Sequence, residues 1–148
     1  MLEDLAMQYY AEDELSDDLQ TQIEQCRQRS ERIVSAEVKQ IIHSSHSFHD
    51  WYMTECTVYC ESETKFCKIS LFKGNAKCRV LFSGVSFLSI SGELISHTAN
   101  YPGAWENASI AQVLAIWLDY QKRLECCWLL DNERFMLLKA EDISIHMQ

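Results

Sequence analysis

Hydrophobic positions recur along this chain at two different periods, and the change falls near residue 50. In the first third the steps are three and four residues: Leu2, Leu5, Tyr9 and Tyr10, then Leu19, Ile23, Cys26, Ser30, Ile33 or Val34, Val38 and Ile41. That spacing puts them on one side of a helix. Ser16 stands where an N-cap would, and Asp17 and Asp18 suit the positive end of the helix dipole that follows. Gln20, Gln22, Gln25, Arg27, Arg29 and Arg32 take the opposite side. Residues 44–50 (Ser-Ser-His-Ser-Phe-His-Asp) break the stripe.

From Trp51 the period is two, which predicts strands. In 52–60 the alternation groups Tyr52, Thr54, Cys56, Val58 and Cys60 on one face. In 65–72 it groups Cys67, Ile69 and Leu71, and in 77–82 Cys78, Val80 and Phe82, with a turn at Lys73-Gly74-Asn75 between them. A short strand is expected from Phe87 through Ile90 to Gly92, followed by one long irregular stretch at 92–108. Residues 110–120 fit a helix through Ile110, Val113, Leu114 and Trp117, and a buried strand through the run from Val113 to Tyr120. Strand is preferred, because Gln121-Lys122-Arg123 then turns directly into the apolar run 124–130. Strands at 135–138 and 143–145 complete the chain. The residues predict an α+β fold: N-terminal helices (1–43) packed on an antiparallel sheet (50–146), as a meander or half-barrel, in one domain of residues 1–148.

Charge sharpens the picture. The chain carries 22 acids against 13 bases, a net charge of −9. Residues 1–24 hold eight of the acids (Glu3, Asp4, Glu12, Asp13, Glu14, Asp17, Asp18 and Glu24) and no Lys or Arg, so the remainder is nearly neutral. Such a balance argues against nucleic acid as a partner, since phosphate binding needs cations to displace counterions. It is either a solvated helix face or a patch that steers a basic partner. The seven cysteines are odd in number, and the start at Met1-Leu2-Glu3-Asp4 has neither a basic nor an apolar leader region. No stretch reaches the roughly 18 apolar residues a spanning helix needs. A reducing cytoplasm with buried free thiols is the expectation, with no membrane partner.

Candidate chemistry is sparse. His43, His46, His49, Cys56 and Cys60 have ligand-like spacing, but the run crosses a helix-to-strand boundary. On one strand Cys56 and Cys60 would lie roughly 13 Å apart, so no metal and no cofactor is expected. His49-Asp50 is read as a turn into the first strand, with Asp50 bonding local backbone amides. No nucleophile elbow or phosphate loop occurs, and no residue is assigned a catalytic role. Trp117 and Trp128 are expected in the core. Trp51, Tyr101 and Trp105 are expected at a contact surface, because aromatic residues favour binding hot spots. With Glu12, Asp13, Glu14, Asp17 and Asp18 they make up the predicted partner-binding set. The alternatives are a small metal or cysteine enzyme built on the His43–Cys60 region, and a homodimer joined through the stripe Leu19, Ile23, Cys26, Val34 and Val38.

Three short segments carry a resemblance. Phe48-His49-Asp50-Trp51-Tyr52, Phe82-Ser83-Gly84-Val85 and Glu141-Asp142-Ile143-Ser144-Ile145 resemble small bacterial β-rich proteins, some of them immunity proteins of polymorphic or contact-dependent toxin systems. The resemblance spans residues 48–145 and leaves out the N-terminal helices. It implies a protein that binds and occludes a cognate toxin domain without performing chemistry; the acidic run at residues 1–24 would suit a basic one. The matching positions look like scaffold, so no site residue follows from them.

Overall fold

The computed structural model describes residues 1–12, 15–90, 111–131 and 133–148. Asp13, Glu14, Tyr101 and Trp105, with the expected irregular stretch at 92–108, lie outside the described residues.

Serine caps divide the N-terminal third into helices α1 (Leu2–Glu12), α2 (Asp17–Ser30) and α3 (Ala36–Ser44). Ser16 Oγ accepts from the Leu19 amide and Ser35 Oγ from the Val38 amide, each at 3.2 Å, satisfying donors that a helix start leaves free. The second cap corrects the reading of one stripe running through Ile41: the helix ends at Ser30 and restarts after Ser35. As a result Leu19 and Cys26 pack in one core cluster, whereas Val34 and Val38 belong to another.

The strands are β1 (Tyr52–Glu61), β2 (Thr64–Lys73), β3 (Ala76–Ser83), β4 (Phe87–Ile90), β5 (Ala111–Gln121), β6 (Arg123–Leu130), β7 (Arg134–Ala140) and β8 (Asp142–Met147). They form one antiparallel sheet in the order β4-β7-β6-β5-β1-β2-β3-β8. Two runs of sequential neighbours, β1–β2–β3 and β5–β6–β7, meet through a short pairing of Tyr52 with Gln112 and Met53 with Ala111. Residues 111–120 are thus strand, as preferred for the segment from 110. The β1–β2 turn has the hairpin geometry that matches strand twist, with Ser62 and Glu63 both at positive φ between Glu61 and Thr64, a conformation neither residue type favours.

Burial explains why the last strands read as continuous apolar runs. Cys126, Trp128 and Leu130 of β6 face the cluster shared with β1–β3, while Cys127 and Leu129 face α1 and α2. Adjacent Cys126 and Cys127 point to opposite faces, as expected of a strand. Leu2, Leu5, Leu19 and Cys26 cover that outer face together with Trp117, Leu129 and Leu137. At about 1.5–3 kcal/mol for each large apolar side chain buried, this contact sets the helices firmly on the sheet. The stripe offered above as a dimer seam is therefore occupied by its own chain.

Two further expectations are corrected here. The alternation in β1 shifts at a bulge between Met53 and Glu55, so Met53 and Cys56 are both buried and Tyr52 is exposed. Trp51 is only 7% exposed, packed edge-on to Phe48 with ring centroids 5.4 Å apart, and is a core residue rather than a contact residue. The cause is the turn before it. His46, Ser47 and Phe48 all have φ between +53° and +59°, a left-handed turn that drives Phe48 into the core against Trp128. The Asp50 amide then donates to Val113 O and the Val113 amide to Trp51 O, which draws Trp51 inward.

Candidate functional site

The acidic residues stand on helices whose other side is fixed. Glu3, Asp4, Glu12, Asp17, Asp18 and Glu24 are all exposed. Glu24 is committed to Arg27. No Lys, Arg or His lies within ion-pair distance of the other five among the described residues; Glu12 accepts only from Gln8, and Asp18 only from Gln22. The charge thus has no ion-pair partner among the described residues, and four of the five acids stand in the first turns of α1 and α2, where the helix dipole favours them.

Two polar anchors hold α1 and α2 in place. The Tyr10 hydroxyl lies 2.7 Å from the carbonyl oxygens of Leu130 and Arg134, donating its one proton between them, and accepts from the Leu130 amide at 3.0 Å. Burial, the leading cause, pushes the Tyr10 phenol well above its usual range. Asp119 on β5 is fully buried and accepts from Arg29 Nε at 2.8 Å, Arg29 Nη2 at 3.1 Å and the Tyr120 amide at 2.7 Å. The hydrogen bond to Asp119 raises the Arg29 guanidinium above its usual value. The sequence reading passed over both anchors. A single acid inside the apolar run 113–120 was the available signal for the second, since a buried carboxylate must be paired.

A cleft of about 260 Å³ opens between α2, α3 and β5. Lys39, His43, His46 and Ser47 line it together with Val34, Ile42 and Leu118. Two of the five candidate ligands, His43 and His46, thus share one wall. The other three are elsewhere. His49 Nδ1 bonds Leu114 O at 2.9 Å, Cys56 is buried with its sulfur 3.9 Å from Cys67 Sγ, and Cys60 is exposed near the end of β1. No group of three ligating side chains converges among the described residues. Asp50 accepts from the Gln112 side chain at 2.8 Å, correcting the expected bond to local amides, while His49 does support the turn.

Five of the seven thiols are chemically quiet. Burial raises Cys26 and Cys78 to about 11, and pushes Cys126 and Cys127 higher still. Cys67 is raised first by its hydrogen bond with Cys56 and then by burial. A thiol held protonated is a poor nucleophile.

No helix among the described residues is long and apolar enough to cross a membrane. No protein-family model matches the chain, and no curated protein matches it.

Proposed function

We propose that this chain is a binding protein that docks a basic protein domain on the acidic face of α1 and α2, acting as an immunity protein against a cognate toxin. One observation carries the reading: five acids, without cationic partners among the described residues, are mounted on helices whose inward side is locked by Leu2, Leu5, Leu19 and Cys26. A solvated acidic tail needs no such mounting. A fixed negative patch raises the rate of encounter with a positive surface by about 10- to 1000-fold at low salt. Toxin domains that cleave nucleic acid are basic for the same electrostatic reason. The scaffold is read as a half-barrel built from two meanders, supported by one core cluster to which both halves of the sheet contribute. The cellular setting proposed for this activity is the cytoplasm.

Co-purification from the native cell, together with co-expression of the product of the neighbouring gene, tests the reading. Reversing Glu12, Asp13, Glu14, Asp17 and Asp18 to Lys should slow association by at least tenfold at low salt and by little at high salt. Association with unchanged rate and salt dependence refutes the role of the helices.

A further inference from the structure

The end of α3 and the turn after it present hydrogen-bond donors that no described residue engages. Lys39 and His43 are one helical turn apart and share a face; His46 and Ser47 follow directly. All four line the same cleft. Their side chains have no hydrogen-bond or ion-pair partner among the described residues. The carboxylate on the rim, Glu31, is committed to Arg27, which is also held by Glu24. The same cleft is lined by Val34 and Leu118, 5% and 7% exposed, and by the partly buried Ile42, which stands on α3 between Lys39 and His43.

His46 and Ser47 reach this wall in left-handed backbone, at φ 53° and 59°. Left-handed geometry costs about 1–2 kcal/mol for each such residue. The turn is held by the Ser47 amide donating to Ile42 O at 2.8 Å and the Ile116 amide donating to Ser47 O at 3.1 Å. The backbone that carries His46 and Ser47 is therefore fixed by sheet and helix, while the exposed side chains of Lys39, His43 and His46 are left to order on a ligand.

We propose that the cleft binds a small amphipathic anion, with its apolar body on Val34, Ile42 and Leu118 and its carboxylate or phosphate oxygens on Lys39 Nζ, the imidazole N–H groups of His43 and His46, and Ser47 Oγ. A ligand that brings acceptors matches a wall that brings donors. The volume of about 260 Å³ is room for roughly nine waters at liquid density. That admits a chain of several carbons with one headgroup, smaller than a drug-sized molecule. The inference does not rest on toxin binding.

Amide NMR spectra of the full chain, titrated separately with octanoate, octyl phosphate and 1-octanol, test it. At least one anion should shift the Lys39, Ile42, His43 and Ser47 resonances saturably, with 1-octanol about tenfold weaker or worse. The preferred anion identifies the headgroup, and either preference supports the proposal. Lys39→Gln with His43→Gln should weaken the anion about tenfold; both side chains are exposed, so the variant keeps its fold, and Lys39→Gln alone provides a second check. Shifts that fall away from the cleft, 1-octanol binding as well as the anions, or unchanged affinity in these variants overturns it.

Discussion

Replacing Arg29 with Met removes the one cation that faces Asp119. The carboxylate is fully buried and loses hydrogen bonds at 2.8 and 3.1 Å, while the Tyr120 amide at 2.7 Å stays. Removing one partner from a buried pair costs about 3–5 kcal/mol, because the remaining charge is stranded. Here the Arg29 side chain is 38% exposed, so solvent already screens the pair and can reach the orphaned carboxylate. The expected loss is therefore about 2–3 kcal/mol. With a urea slope of about 1–3 kcal/mol/M, the unfolding midpoint followed by tryptophan fluorescence falls by about 1–2 M. The pair Arg29→Met with Asp119→Leu should recover much of the loss, since an apolar pair strands no charge. A loss below about 0.5 kcal/mol for Arg29→Met, or a double variant no better than the sum of the singles, refutes the view that α2 is anchored by this ion pair.

Tyr10→Phe should cost about 1–2 kcal/mol in urea unfolding, because it leaves the Leu130 amide and the two carbonyls short of a partner. The phenol is raised on folding, so its contribution is complete below pH 10 and is lost as pH rises above it; wild-type stability should fall in that range more steeply than that of Tyr10→Phe. Gly84 has φ +66°, and a Cβ there would lie 2.6 Å from Glu141 Cγ. Gly84→Ala should lower stability by about 1–2 kcal/mol in the same assay, and adding Glu141→Ala should recover only the steric part. Iodoacetamide at neutral pH should modify one thiol per native chain by intact mass, at Cys60, and all seven in denaturant; the other six cysteines are buried. Ser35→Ala should cost about 1 kcal/mol in thermal unfolding by removing the cap that starts α3.

Element types were largely readable from periodicity, since burial on one or both faces writes itself into spacing. The run 124–130 is apolar throughout because helices cover one side of β6 and the shared core the other, and that double burial also favoured strand for residues 111–121. What periodicity could not carry was phase. The bulge at Met53 and Glu55 adds one residue, and every side chain before it changes face. The left-handed turn at 46–48 was equally hidden, because no glycine or asparagine marks it; tertiary contacts of Phe48 enforce it instead. That turn overturned Trp51 as a contact residue and brought His46 beside His43. The acidic set was legible as charge, but the anchors that fix it, Tyr10 and Asp119, depend on pairings across more than 80 positions of sequence.

The narrow junction within the sheet bears on how the chain assembles. Each run of three strands closes by turns of one to three residues, so its contacts are local and its pairing is fast. The pairing of Met53 with Ala111, and of β3 with β8, unites chain that starts far apart and bears the loop-closure entropy of the fold. Contact order makes the meeting of the two runs the expected slow event. Phe48, packed between Trp51 before β1 and Trp128 of β6, ties one run to the other at that meeting.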